Sequence, residues 1–239
     1  QNDADIKDIA KTIEQDPAIA AKILQVVSCS LYSLKTGSVK QAISYLGLAN
    51  LQAIVFSCIV FDFVDKAKFS DTVKKLFWLH ANQTNRLLNA IYEQLLKKKV
   101  PERAATAGLL HDIGRILLML NCREEYRWIL KRTQAEGRSL HLVEMEELNL
   151  CHQTMGAYLL NLWGLPYELV EAALFHHDPF NKEVTDRELV VAVHLADYLA
   201  WKRLGQTPLS TMDERTFDFL GISIAECEIL AKEVPVSYI

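Results

Sequence analysis

The sequence predicts an all-α protein in which an N-terminal helical subdomain packs on a helical bundle. Three observations carry that prediction. Only nine glycines and six prolines interrupt 239 residues. Apolar residues recur at three- and four-residue spacing in one segment after another, while the alternation of a half-buried strand is almost absent. Half of the residues are hydrophobic, enough to bury a sizeable core.

The elements follow in order. Asp3 or Asp5 caps "IKDIAKTIEQ", whose Ile6, Ile9 and Ile13 share one face. Pro17 opens a second helix at its first position, where its missing N–H costs nothing. "KTGS" reads as a turn, followed by the helices "VKQAISYLG" and "LANLQAIVFSCIVFDFV". This pair resembles a helix-turn-helix in outline, but its second member lacks the Arg, Lys and Asn that read a groove. An ordinary packing corner is the better reading. From Asp71 a second block begins, first as "TVKKLFWLHANQTNRLLNAIYEQLLKK" and then as a helix opened by Pro101, "ERAATAGLLHDIGRILLML". "EEYRWILKRTQAEG" stops at Gly137, and "SLHLVEMEELNL" and "HQTMGAYLLNLWG" follow. "YELVEAALFHH" ends in the loop "DPFNKEVTD", before the helix "RELVVAVHLADYLAWKRLG". The tail is turn-rich from Gln206 and closes with the helix "ISIAECEILAKEV". The expected divisions are residues 1–70, 71–205 and a C-terminal extension, 206–239.

Several function classes are disfavoured. A net charge of −4 gives no electrostatic footprint for nucleic acid, and the basic run "LLKKKVPERAA" reads as a solvated helix end and loop. Cys29, Cys58, Cys122, Cys151 and Cys227 are single and odd in number, so neither a zinc knuckle nor a disulfide framework is expected. They fit small buried hydrophobes in a reducing cytoplasm. The longest apolar run, "AIVFSCIVFDFV", is shorter than the roughly 18 residues of a membrane span. Beginning at Gln1, the chain reads as a piece of a longer protein.

The histidines concentrate the chemistry. His80, His111, His141, His152, His176, His177 and His194 all lie in the second block, most of them on strongly apolar segments. Asp112 adjoins His111, and Asp197 shares a helical face with His194. Burying such groups is costly unless each finds a partner or a metal. Imidazole and carboxylate together suit zinc, manganese or iron. Each residue also has a plainer reading. A lone histidine on an apolar face is more often a hydrogen-bonded core residue, and His176-His177 could simply complement a helix C-terminus. His141, in a mixed segment, is read as surface or partly buried and is left out of the set.

"AGLLHDIGRILL" resembles the signature of the HD superfamily of metal-dependent phosphohydrolases. With "DIAKTIEQDPAIAAKILQVVSCSLY", "VKQAISYLGLANLQAIVFS", "HQTMGAYLLNLWGLPYELVEAALFHHDP" and "VVAVHLADYLA", the chain over roughly residues 3 to 205 resembles the HDOD family, HD-related output domains of bacterial signalling proteins. The resemblance implies a helical N-terminal subdomain on an HD-like bundle. In catalytic HD proteins a histidine, a His-Asp pair and a later aspartate hold metal, and the matching positions are His80, His111, Asp112 and Asp197. The related HD-GYP phosphodiesterases add a histidine and a His-His pair, matched by His152, His176 and His177. Two departures stand out. Arg115 replaces the lysine after the His-Asp pair, and the Gly-Tyr-Pro segment after His177 is missing.

Two functions follow as expectations. The favoured one is a cytoplasmic signalling output module that acts through contacts with signalling proteins or further domains and holds one or two divalent ions (iron, manganese, zinc or magnesium). The alternative is a metal-dependent phosphohydrolase acting on a phosphodiester, cyclic nucleotides included. There His111 and Asp112 serve the metals and Arg115 clamps the phosphate.

Overall fold

The computed structural model describes residues 3–15, 38–45 and 71–236, together with Ala20, Ile23, Gly47, Leu51 and Val55. These residues are helical or loop, with no strand among them. The helix expected after Pro17, the "KTGS" turn, most of the "LANLQAIVFSCIVFDFV" helix, Cys29 and Cys58 lie outside the described residues.

Helix α1 spans Asp3–Glu14, and residues 39–45 are also helical. Ala10, Ile23, Val39, Ala42, Ile43 and Leu51 form a small core with Ile6, Ile9 and Ile13 packed against it. Ala81 and Leu109 belong to the same cluster. The N-terminal helices therefore seat on the bundle through residues adjacent in sequence to His80 and close to His111.

The bundle begins with α2, Asp71–Ala90, which continues as a π-helical turn, Ile91–Leu95. Lys97, at φ 55°, then turns the chain through an exposed basic segment, as expected for a solvated helix end. The helix expected through "ERAATAGLLHDIGRILLML" is not continuous. It consists of a 3-10 turn, Glu102–Ala104, and two helices, α3 (Ala107–Leu110) and α4 (Ile113–Asn121), with His111 and Asp112 at the joint. The halves are drawn against different neighbours. A Cβ on Gly108 would stand 2.6 Å from the Asn85 Cα of α2, and one on Gly114 would overlap the backbone carbonyl of His152. Only glycine permits both approaches.

Helices α5 (Arg123–Glu136) and α6 (Leu140–Leu148) form a hairpin around the left-handed Gly137. Arg132 and Arg138 fasten it to Glu136, Glu146 and Glu147 on its exposed side. Helix α7 (His152–Leu162) packs on α4 and on α8 (Tyr167–Phe175). Helix α9 (Arg187–Arg203) is buried almost all round from Leu189 to Trp201, which makes it the axis of the bundle, with α2 along its length. The main core includes Leu87, Leu110, Ile116, Leu160, Leu169 and Val193. Each such side chain contributes about 1.5–3 kcal/mol of hydrophobic stabilisation relative to exposure.

After Gln206 the tail holds one helix more than the turn-rich sequence suggested: α10, Arg215–Leu220, precedes α11, Ile224–Glu233. A capping box between Ser223 and Glu226 starts α11. Cys227, Leu230 and Val234 join the main core. Among the described residues, no helix is long and apolar enough to cross a membrane.

Candidate metal centre

His80 sits midway along α2, Asp197 on α9, and His152 at the first position of α7. His176 and His177 directly follow α8. On a straight helix His111 and Asp112 would diverge by about 100°. The joint between α3 and α4 lets both turn inward.

The structure brings all seven residues together around Asp112. On one side, the His80 and His111 Nε2 atoms each lie 3.8 Å from Asp112 Oδ2. Asp197 Oδ1 stands 3.0 Å from His80 Nε2 and 3.5 Å from His111 Nε2. On the other side, Asp112 Oδ1 lies 3.4 Å from His152 Nε2 and 3.6 Å from His176 Nε2, and His177 Nε2 is 3.0 Å from His152 Nε2. Two groups able to hold a metal ion, His80-His111-Asp112 and Asp112-His152-His176-His177, thus share one carboxylate. Apart from the half-buried His177, these side chains are almost fully withdrawn from solvent.

The hydrogen bonds behind the rings show what the front atoms require. His111 Nδ1 donates to the Gly108 carbonyl at 2.9 Å, and His176 Nδ1 to the Ala173 carbonyl at 2.9 Å. His152 Nδ1 meets Glu144 Oε2 at 2.6 Å. With the proton committed to Nδ1, each neutral ring turns an Nε2 lone pair into the centre. His111 Nε2 and Asp197 Oδ1 are buried without a hydrogen-bond partner. Lone pairs that face carboxylate oxygens need a positive charge between them, either a proton or a metal cation. This donor set fits a divalent metal.

The electrostatics agree. Burial pushes the Asp112 carboxyl up, but Arg115, His111 and the neighbouring His176 outweigh it and hold it well below the usual range. Asp197 is likewise held low, its burial outweighed by the His111 and His80 rings that it faces. Burial lowers His80 despite Asp197, and pushes His176 down to about 4. His111 moves the other way: burial opposes its charge, but Asp112 and Asp197 prevail and raise it.

Arg115 pairs with the shared carboxylate. Its Nη1 donates to Asp112 Oδ2 at 2.7 Å, and its guanidinium lies 5.4 Å from the Trp201 ring and 5.7 Å from that of Phe77. Trp201 also stacks on His80 at 3.9 Å. A permanent cation therefore occupies one face of the shared carboxylate.

His194 is no ligand. Its Nδ1 donates to the His176 carbonyl at 2.7 Å, and its Nε2 accepts from the Asp213 backbone N–H at 3.1 Å. It ties the end of α8 to α9 and the tail. His141, left out on sequence grounds, is partly buried and stacks on His177 at 4.9 Å, at the edge of the centre. Glu144 was also missed. It is fully buried, accepting from His152 through Oε2 and from the Tyr126 hydroxyl through Oε1. In the sequence it sits in an acidic run, "VEMEEL", indistinguishable from solvated neighbours. Its spacing of eight from His152 was the one available signal.

A family model described as HDOD domain matches residues 1–179. Among solved structures, the chain is similar to an HDOD domain protein of unknown function from Geobacter sulfurreducens, with a TM-score of 0.70 and 21% identity over 98% of this chain and 78% of that one. It is also similar to a suggested phosphohydrolase from Shewanella amazonensis SB2B, with a TM-score of 0.67 and 23% identity over 96% of this chain and 79% of that one. A similar response regulator, MmoQ of Methylococcus capsulatus, has a TM-score of 0.52 and 23% identity over 95% and 89% of the two chains. An uncharacterised protein of Treponema pallidum (strain Nichols) is 22% identical over 92% of this chain, which spans 43% of that protein. At these identities the structural likeness carries the fold.

Proposed function

The chain belongs to the HDOD family, and from that membership we propose that it is a bacterial signalling output module acting through protein contacts, with a metal held at its His/Asp centre. One observation carries the reading. The donors of a metal site are all present, but they are sealed inside the bundle and the shared Asp112 is engaged by Arg115. A hydrolase needs its substrate's phosphorus near the metals. Here only His177 among the donors is more than marginally exposed. His80, His111, Asp112 and Asp197 would hold one ion, and Asp112, His152, His176 and His177 a second. A bound ion would supply Lewis acidity and, above all, cohesion among six helical segments. In this role His111, His152 and His176 present their lone pairs through bonds made behind them, and Arg115 balances the charge of Asp112. The same proposal places the protein in the cytoplasm, with other signalling proteins or further domains of a longer chain as partners.

A second reading, a metal-dependent phosphohydrolase, is favoured by the sharing of Asp112 between two donor groups, the arrangement two-metal hydrolases use. Metal analysis of purified protein, followed by assays against cyclic di-GMP, other cyclic nucleotides and generic phosphodiesters, separates the two. The signalling reading expects bound metal without turnover. Turnover that H111A and D112A abolish would establish the second reading, and a protein that takes up no metal would remove the centre from both.

A further inference from the structure

One helical turn from the metal centre, α2, α4, α5 and α9 enclose a cleft of about 180 Å³ that neither reading uses. Its walls include Leu76, Phe77, Met119, Leu130, Trp201 and Leu209. Gln134, Gln206 and Thr207 also line it, and its one charged group is Arg115. Among the described residues, the Arg115 Nε has no hydrogen-bond partner, although the side chain is only 6% exposed. A buried donor left unmade is costly, and a guanidinium with Nη1 committed to Asp112 still has donors to offer. The ring faces of Phe77 and Trp201 hold it in place, so its position is set before any ligand arrives.

We propose that this cleft binds a small carboxylate with an apolar body. The volume sets the size, since a cavity of about 150 Å³ lined by apolar side chains accommodates a benzene ring. Arg115 sets the charge, because a carboxylate can accept from a guanidinium as a charge-assisted pair in a site of low dielectric. The predominantly apolar lining disfavours a bare, strongly hydrated anion such as inorganic phosphate. The proposal deepens the signalling reading, on which it rests only for its purpose: it gives the class of small molecule that would serve as input beside the centre.

The test is calorimetry and ligand-detected NMR with benzoate and 3-methylbutanoate, with benzyl alcohol and inorganic phosphate as controls. At least one acid should bind with a dissociation constant in the millimolar range or tighter. The alcohol, lacking the charge, should bind roughly tenfold more weakly or worse. L76W and M119F fill the cleft without touching the Arg115–Asp112 pair and should weaken binding by a similar factor. Circular dichroism checks each fold, and if one variant fails to fold the other decides. Binding of neither acid overturns the proposal. So does equal binding of the alcohol or of phosphate, or full affinity in the folded variants. Metal content measured on the same samples keeps the readings apart. Metal-free protein that binds benzoate sinks only the metal centre, and metal-loaded protein that ignores both acids sinks only the cleft.

Discussion

Glu144 Oε2 accepts two hydrogen bonds from His152, one from its backbone N–H at 2.8 Å and one from its Nδ1 at 2.6 Å. One carboxylate thus caps α7 and fixes which ring nitrogen of His152 faces Asp112. Burial opposes its charge, but His152 and the hydrogen bonds around it hold its pKa below the usual range.

E144A should therefore loosen metal at the centre while leaving every first-line donor in place. Groups that orient a ligating histidine are typically worth about 10- to 100-fold in metal affinity. Competition against a chelator of known affinity measures this. E144Q, which keeps the acceptor and loses the charge, should fall between wild type and E144A.

Gly114 separates packing from chemistry. A Cβ there would overlap the His152 carbonyl and come within 2.5 Å of the Gly156 backbone nitrogen, and neither partner is a flexible side chain. G114A should destabilise the fold by about 3 kcal/mol or more, because backbone on two helices must move. Chemical denaturation reads the loss, and a change under about 1 kcal/mol would show that α4 and α7 can slide apart cheaply.

His194 and His176 should part company under substitution. With both nitrogens of His194 bonded to protein, H194A should cost about 2–4 kcal/mol of stability and leave the metal content per chain unchanged. H176A should reduce metal content. Paired measurement of unfolding and metal stoichiometry on the two variants checks the contrast.

Acid should unfold the metal-free protein through its imidazoles first. His176 and His141 are each pushed down to about 4, by burial first and by neighbouring histidines, and His80 and His177 are also lowered. Unfolded imidazoles titrate near 6.5. The unfolded chain therefore binds more protons as pH falls, and stability is lost progressively from about 6.5 toward 4. His111, raised, works in the opposite sense but stands alone against five, since His194 is lowered as well. Asp112 and Asp197, held low, stabilise the fold above their unfolded values and give this up only at lower pH. Thermal midpoints in chelator should fall between about pH 7 and pH 4.5; a flat profile there would contradict these environments.

Much of this was legible in the sequence, for reasons that differ by residue. Helical periodicity marked α1, α2, α5, α7 and α9 because each buries one stripe or, in α9, nearly its whole surface. The break at His111-Asp112 was hidden, since no local signal marks it and its causes, the close approaches at Gly108 and Gly114, are tertiary. The seven clustered residues were recognisable as a set only through the spacing shared with a family. Residue type told nothing about direction, so the pairing of Arg115 with Asp112 was not legible. His194 and His141 show the same limit: identical imidazoles, one a staple and one at the rim, distinguished only by what surrounds them.

Glu171, on the helix that leads into His176-His177, accepts from the Thr185 and Asp186 backbone N–H groups and from the Thr185 hydroxyl. Asp186 in turn caps α9, which delivers Asp197. Glu171 thereby ties the far stem of the 178–184 loop back to α8, and within the loop Val184 packs with Phe175 and Val190. The ends of α8 and α9 are thus held in register by one buried carboxylate and one apolar contact, so loop changes that keep Glu171 and Val184 should leave both helices in place.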